Sequence, residues 1–364
     1  MKFILKSTIF ILSLIIASFF TMQLNSAYAG TSGDYTLKPV ESENSKVNVD
    51  GGFYSVKGNP GEIVEIKVAV YNFEKDERQF LIQGNTAYTN SDGQPGYDLT
   101  KVTDPNLKIQ LRDLFSNNKK IVNIPGNSNA VVTLKLKIPS EKYIGYLMGG
   151  VNVVPYNEKA KGTVTENGTL IKNKFSYSLP IQLIQTGANT EDVNYKINSV
   201  KPQIIDGSSG KQIGVAARVS NTNNAYIPGL SSNAVITKYG NKKFKMTASR
   251  DNQSIAPTSH YNYMVSWGKE RLQAGKYHIK LTYSGNGVRT WVLDKDFVIT
   301  DAQAAKYNNL AGIKPNYLWL WILLAILLLA LILGLGIYMG KRNNKDNGNN
   351  NQLSSNSRRR RRRR

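Results

Sequence analysis

Ile63-Val64-Glu65-Ile66-Lys67-Val68-Ala69-Val70-Tyr71 is the stretch that decides the fold of this chain. Apolar side chains at 66, 68 and 70 alternate with charged or amphipathic ones, the period of two that is typical of a strand with one buried face. The segment 131–138 repeats this pattern, and clusters of Gly, Pro, Asn and Asp separate such segments. The pattern predicts an antiparallel β-sandwich over 34–187, interrupted only by a helical turn within 107–115.

Residues 193–301 show the same alternation of apolar and polar side chains. Strands are predicted at 194–200, 212–220, 234–239, 260–267, 277–283 and 291–300. They predict a second β-sandwich over 193–301. The chain contains no cysteine, so packed cores rather than disulfides must stabilise both domains. The predicted fold class is all-β: two immunoglobulin-like β-sandwich domains in tandem, followed by one transmembrane helix and a disordered basic tail.

An uncharged apolar run at 317–339 is long enough to cross a bilayer as a helix. Trp319 and Trp321 at its start and Tyr338 at its end suit the two membrane interfaces. Lys341 and Arg342 follow directly, and basic residues beside a span stay in the cytoplasm. We therefore predict a single-pass membrane protein with its N-terminus outside and its C-terminus in the cytoplasm.

The segments beside this run complete the predicted topology. Residues 302–316 are expected to form a juxtamembrane linker, and 340–364 a cytoplasmic basic tail whose asparagine-rich part cannot form a core. At the other end, lysines, an apolar run and Ala27-Tyr28-Ala29 predict a signal peptide over 1–29. The expected location is the cell membrane, with the domains exposed in the cell-wall layer.

Several segments of the first domain carry a family resemblance. They are Thr86-Ala87-Tyr88-Thr89-Asn90-Ser91-Asp92-Gly93 with Tyr97-Asp98, then Asp104-Pro105-Asn106-Leu107, and Tyr143-Ile144-Gly145-Tyr146-Leu147-Met148-Gly149-Gly150. Together they resemble the N-terminal domain of the WxL-interacting proteins of Gram-positive bacteria. The resemblance implies binding to peptidoglycan and to WxL-domain surface proteins.

The second domain resembles the second, host-binding domain of the same family. The resemblance rests on Ile255-Ala256-Pro257-Thr258-Ser259, on Leu272-Gln273-Ala274-Gly275-Lys276-Tyr277, and on the closing strand from Trp291. The family usually has Met-Ala-Pro-Asn-Ser where this chain has Ile-Ala-Pro-Thr-Ser. The implied partner of this domain is a host extracellular-matrix protein or a neighbouring surface protein.

Tyrosines are the best candidates for ligand contacts, because they offer rigid amphipathic surface to sugars and proteins. The candidate ligand-binding residues lie in or near the family-like segments, except for Tyr226, which we expect to be exposed beside Ile227-Pro228-Gly229. The set is Tyr88, Asn90, Asp92, Tyr97, Tyr143, Tyr146 and Tyr226. Tyr261, Tyr263 and Trp267 occupy alternate positions on one face of a strand. The two tyrosines are expected to belong to the core rather than to a binding surface.

The residues give little support for catalysis. Without cysteine, and with only His260 and His278, the chain has no thiolate nucleophile and no zinc spacing, so neither metal nor cofactor is expected. His278 shares a strand face with Lys280 and should face solvent. No nucleic-acid partner is expected. We therefore predict a non-enzymatic, membrane-anchored binding and scaffold protein.

Two alternatives stay open. Asp92, Asp98 and Asp104 cluster in the loops of the first domain, and a pair of carboxyl groups flanking a sugar could make a wall-modifying hydrolase. The other alternative is a surface sensor or secretion scaffold that acts through the seven arginines at 358–364.

Overall fold

The computed structural model describes residues 33–42, 45–158, 161–164, 170–173, 175–207, 210–268, 270–314 and 317–359. Only the backbone is described at 161–164, 170–173, 207 and 340–359. The predicted signal peptide at 1–29 lies outside the described residues. Within them, strands dominate up to residue 300 and helices follow, so the predicted all-β fold class is confirmed for the two tandem domains.

The first sandwich is formed by two main sheets with short ribbons at its loops. Its strands are β1 (Tyr35–Val40), β2 (Val47–Asp50), β3 (Phe53–Gly58), β4 (Ile63–Asn72), β5 (Arg78–Thr86), β6 (Tyr88–Thr89), β7 (Pro95–Gly96), β8 (Lys119–Ile124), β9 (Ser128–Lys137), β10 (Leu147–Pro155), β11 (Lys161–Val164), β12 (Leu170–Asn173) and β13 (Tyr177–Gln185). One sheet has the order β1-β4-β9 and the other the order β2-β3-β13-β10-β5-β8. A single 3₁₀ turn at Leu111–Leu114 falls inside the predicted helical segment.

The alternation of β4 places the core of this domain as predicted. Ile66, Val68 and Val70 are fully buried, and so are Leu134 and Leu136 on the neighbouring strand β9. The charged side chains between them point outward because successive residues of a strand face opposite sides. One detail differs: β3 and β13 pair in parallel, in a sandwich predicted to be antiparallel. The alternation pattern is the same for both kinds of pairing and cannot distinguish them.

The second sandwich packs a three-stranded sheet against a four-stranded one. Its strands are β14 (Tyr195–Gly207), β15 (Gly210–Asn221), β16 (Leu230–Lys238), β17 (Asn241–Gln253), β18 (Ser259–Ser266), β19 (Gly275–Ser284) and β20 (Trp291–Ile299). The sheet orders are β14-β15-β18 and β17-β16-β19-β20. Part of this core is an aromatic cluster in which the rings of Phe244, Trp267 and Tyr277 all contact one another. Tyr261 and Tyr263 are buried, as predicted.

Strand β17 is absent from the sequence prediction. Its inward positions, Phe244, Met246 and Ala248, are only half-buried, and lysines fill several outward positions. It lies at the edge of its sheet, where charged side chains protect a free strand from pairing with other chains. The weak alternation and the high charge conceal it from a pattern search.

A docked helix replaces most of the linker predicted at 302–316. Helix α1 (Asp301–Leu310) begins at Thr300, whose hydroxyl accepts from the backbone N–H of Gln303 in a capping box. Ala304 and Asn308 are buried against the second sandwich. The side chain of Asn308 donates to the Leu272 carbonyl and accepts from the Leu272 N–H, both at 2.9 Å. The prediction of a linker was wrong over 302–310. Side-chain caps and buried contacts stabilise a helix there, although its sequence has no strong apolar stripe.

We expect Asn308→Ala to loosen α1 from the second sandwich. The change leaves the buried N–H and carbonyl of Leu272 without partners, at a cost of about 1–3 kcal/mol. Protease cleavage within 300–312 should accelerate relative to wild type. The adjacent Asn309 is exposed, so Asn309→Ala is a matched control that should leave cleavage unchanged. Equal cleavage of the two variants would contradict the role of Asn308.

Helix α2 (Leu318–Arg359) contains the apolar run. Among the described residues, Leu318–Met339 is the one helical segment long and apolar enough to cross a membrane, and none of it is buried within the protein. Trp319, Trp321 and Tyr338 are exposed on it, whereas the side chains of Lys341 and Arg342 lie outside the described ones. The backbone stays helical to Arg359, where a disordered tail was predicted from 340. No proline interrupts this helix.

Candidate functional site at the junction of the two sandwiches

The family-like segments of the first domain meet the second domain. Ala87, Tyr97 and Met148 of the first sandwich form a buried apolar cluster with Ala256 of the second. Tyr226 packs against this cluster. The structure therefore brings Tyr97 and Tyr226, two of the predicted ligand-binding residues, into one contact between the domains. The expectation that Tyr226 is exposed was wrong, because the cluster covers its ring.

The segment containing Tyr146 continues this contact. The Tyr146 backbone N–H donates to the Asn224 carbonyl, and its hydroxyl donates to the Tyr226 carbonyl at 2.7 Å. The preceding residue, Gly145, has a φ of 77°. A Cβ atom at Gly145 would lie 2.1 Å from the Asn224 carbonyl oxygen. The backbones approach so closely here that only glycine fits.

The turn at Asn90–Gly93 is held by the second sandwich. The Asn90 side-chain oxygen accepts from the backbone N–H groups of Asp92 and Gln94, which fixes the turn. Gln253 then donates to the Asp92 carbonyl at 2.6 Å, and the Ser254 N–H donates to the Gly93 carbonyl at 2.7 Å. Asn90 therefore shapes the turn, while the Asp92 side chain remains exposed.

Loop 255–259 of the second sandwich completes the junction. The Ala256 N–H donates to the Thr89 hydroxyl at 3.0 Å, and the Thr89 and Ser259 hydroxyls are hydrogen-bonded. Thr258 has a φ of 45°, in the left-handed region that asparagine tolerates better than threonine. The Asn that the family usually has at this position would therefore suit this backbone, whereas Thr258 adopts it with strain.

A charged bridge crosses the junction beside these loops. Asp104 has a side chain only 2% exposed and contacts His260 of the second sandwich. Arg218 lies 2.8 Å from the other ring nitrogen of His260, so the imidazole stands between the guanidinium of Arg218 and the carboxylate of Asp104. Arg218 and Asp104 also line an open cleft of about 430 Å³ between the domains.

Tyr88 and Tyr143 lie outside the apolar contact. The Tyr88 hydroxyl donates to Asp98 at 2.7 Å, and the Tyr143 hydroxyl donates to the Leu183 carbonyl at 3.1 Å. Both rings are half-buried. Tyr143 also lines an open groove of about 410 Å³ with Pro60, Lys142, Ile144 and residues 185–189. Among the residues placed by the structure, no His, Asp or Glu group has a geometry that could hold a metal ion.

His278 lies away from the junction, on the outer face of the second sandwich. Its ring contacts Asp296 at 2.7 Å, and the same carboxylate accepts from the Tyr239 hydroxyl at 3.0 Å. Hydrogen bonds from His278 and Tyr239 lower the pKa of Asp296. The neighbouring Ile279 is fully buried, which confirms the predicted orientation of this strand.

The junction residues that the sequence did not single out as binding residues include Thr89, Arg218 and Gln253, together with Asp104, which was considered only in the hydrolase alternative. Each is polar, and all except Arg218, which lies within β15, are in a loop or at a strand end, where polar residues form turns as well as contacts. The family-like blocks were the available signal. They mark the segments of both domains that meet, and a pairing between blocks could have been inferred from them.

Tyrosines at the junction and beside it predict a loss of stability in alkali. Burial, with hydrogen bonding to Asp98, raises the pKa of Tyr88 to about 12, and burial raises the pKa of Tyr97 and Tyr146 further above the usual value of 10.0. Above pH 10 the unfolded chain releases these protons while the folded chain retains them. The free energy of unfolding must therefore fall as pH rises from about 10 towards 12. Thermal melts between pH 8 and 11 would measure this fall, and Tyr97→Phe should reduce its slope; an unchanged slope would contradict the role of Tyr97.

Comparison with known proteins links both sandwiches to one family. Residues 35–154 match the WxL Interacting Protein peptidoglycan binding domain, and residues 166–309 match the WxL Interacting Protein host binding domain. A search of curated proteins finds no match. The second match begins before β13, although β13 is hydrogen-bonded within the six-stranded sheet of the first sandwich.

A search of solved structures matches, among others, two chaperones. The class 5 fimbriae chaperone CfaA is 13% identical with a TM-score of 0.27, over 72% of this chain and 98% of that chain. The Pseudomonas aeruginosa CupB2 chaperone is 11% identical with a TM-score of 0.24, over 66% of this chain and 96% of that chain.

The two family matches are adjacent and together take in most of the chain. They fall on the two sandwiches whose contacting segments were identified above, and they support a surface protein that binds rather than one that catalyses. A peptidoglycan-binding domain also implies association with the cell wall. The chain belongs to the family of WxL Interacting Proteins.

Proposed function

We propose that this protein is a membrane-anchored scaffold that holds WxL-domain proteins and peptidoglycan near the membrane and contacts host matrix proteins. The observation that supports the proposal is the order of the two domains and the apolar helix along one chain. Two binding modules are locked together by the junction, and an exposed apolar helix follows the second module. Two modules on one rigid support strengthen weak individual contacts through their high effective concentration.

The proposed site residues divide into two groups. Tyr97, Tyr146 and Tyr226 take part in the junction and would act by positioning the modules. Tyr88, Asp92 and Tyr143 keep exposed or half-buried side chains and would contact a ligand directly, Tyr143 within its groove. Asn90 would support Asp92 through the turn that it fixes.

Binding can be tested with the full-length protein in detergent. Purified protein should pellet with intact peptidoglycan sacculi and should retain a purified WxL-domain protein on a column. Failure of both would overturn the scaffold, and release of soluble muropeptides from the sacculi would favour a wall hydrolase instead. Tyr143→Ala should weaken pelleting if the groove takes part.

The membrane topology needs a separate test, and the absence of cysteine makes it simple. We propose that residues before the span lie outside the cell and that Lys341, Arg342 and the arginine tail lie in the cytoplasm. A single cysteine at Asn309→Cys should react with a membrane-impermeant maleimide in intact cells. A single cysteine at Ser354→Cys should react only after permeabilisation. The reverse result would overturn the proposed orientation.

A further inference from the structure

Two aromatic rings lie side by side on the outer face of the first sandwich. Tyr71 and Phe73 are two positions apart at the end of β4, so both point away from the core that Val70 and Asn72 face. Their ring centroids are 6.4 Å apart and their planes differ by 23°. The two rings therefore lie close together on the same outer face, with nearly parallel planes.

This surface is open to solvent. Phe73 is 47% exposed, and Val131, diagonal to Tyr71 on strand β9, is 56% exposed. A contiguous exposed apolar patch on a soluble domain commonly marks an interaction site. Phe73 and Val131 do not belong to the buried contact at the junction.

The border of the surface is polar and basic. Thr36 on β1 and Asn129 on β9 are the cross-strand partners of Tyr71. The Lys38 ammonium lies 5.3 Å from the Tyr71 ring centroid. A sugar ring has an apolar face of C–H groups and a rim of hydroxyl and amide groups. An aromatic surface bordered by hydroxyl and amide groups, with an ammonium group over one of its rings, can contact both parts, and the cation suits a glycan that carries carboxylates.

The position of the surface also fits a polymer. The register of β5 with β10 places Thr86 and Gly149 at the junction end of the sandwich and Phe80 and Pro155 at the opposite end. Asn72, between the two aromatic residues, hydrogen-bonds to the Ile124 carbonyl at that opposite end. The rings are therefore at the far end of the first sandwich from the second domain.

We propose that Tyr71 and Phe73 form a platform on which the first domain stacks the sugar rings of an acidic glycan strand. The platform rests on the proposed peptidoglycan-binding function and assigns that function a surface. Lys38 supplies the charge that favours the carboxylates of the strand, and Thr36 and Asn129 supply hydrogen-bonding groups at its edge.

The test compares full-length variants in a sacculus-pelleting assay. Tyr71→Ala with Phe73→Ala should weaken binding about tenfold, which corresponds to about 1.4 kcal/mol. Tyr71→Phe with Phe73→Tyr keeps both rings and should bind like wild type. Tyr239→Ala removes a comparably exposed tyrosine, 56% exposed, from the second sandwich and should also bind like wild type. Thermal melts check that each variant is folded.

The outcomes separate the two proposals. Wild-type protein that does not pellet would overturn peptidoglycan binding, and the platform with it. Wild-type and double-alanine proteins that pellet equally would overturn the platform alone. A double-alanine variant that changes only the oligomeric state in sedimentation would also overturn it, since the rings would then form an interface between copies of this chain.

Discussion

Gly145→Ala is expected to force the two sandwiches apart. The added Cβ would lie 2.1 Å from the Asn224 carbonyl oxygen, a backbone atom that cannot rotate away. The same change disturbs Tyr146, whose N–H and hydroxyl both donate to the second sandwich. Small-angle scattering should show a larger radius of gyration, and proteases should cleave the connection at 186–192 faster than in wild type.

Gly187→Ala is a closely matched control. Gly187 has a φ of 76°, against 77° for Gly145, so both variants bear the same backbone strain of about 1–2 kcal/mol. No atom lies within 4 Å of a Cβ at Gly187. Any separation of the domains seen only with Gly145→Ala must come from the steric contact. Equal effects of the two changes would show that the junction does not depend on this close approach.

A fragment that ends at residue 158 is expected not to fold, although it contains the whole peptidoglycan-binding match. The fragment lacks β13, which lies between β3 and β10 in the six-stranded sheet. Leu179, Ile181 and Leu183 of β13 are buried in the core, and the loss of each costs about 1.5–3 kcal/mol. The sum approaches the total stability of an ordinary domain.

The matched fragment, residues 33–187, restores β13 and should fold. Circular dichroism and cooperative thermal melting would compare the two fragments directly. A cooperative transition in the shorter fragment would show that β10 can close the sheet against β3 without β13. The practical consequence is that the end of the family match and the end of the folded unit are different residues.

The strands and the buried faces could be predicted from the sequence where alternation is strong. Ile66, Val68 and Val70 share one face of β4, opposite Glu65 and Lys67, so the pattern predicted both the strand and its inward face. Strand β17 escaped because its inward residues are only half-buried and its outward residues are charged. Helix α1 escaped because its stabilising contacts, such as Asn308 with Leu272, join residues far apart in sequence.

The candidate site shows a different limit. Tyr97, Tyr146 and Tyr226 were selected as ligand-binding residues because tyrosine is common in binding surfaces. The structure uses all three at the junction, where the rings of Tyr97 and Tyr226 fill an apolar contact and the Tyr146 hydroxyl donates to the Tyr226 carbonyl. A tyrosine that binds a ligand and a tyrosine that joins the two domains are the same residue type at the same kind of position, near a turn. Only the pairing of segments from both domains distinguishes them.

Helix α1 also limits the distance between the second sandwich and the apolar helix. Ile313 still packs against the second sandwich, and Leu318 begins the apolar helix, so five residue steps connect them. Fully extended, they span at most about 18 Å, whereas a free linker over all of 302–316 would have reached about three times as far. In the proposed topology, this short connection keeps the second sandwich close to the apolar helix that anchors it. Encounters with neighbouring proteins would therefore be set by lateral diffusion of the anchor in the plane of the bilayer.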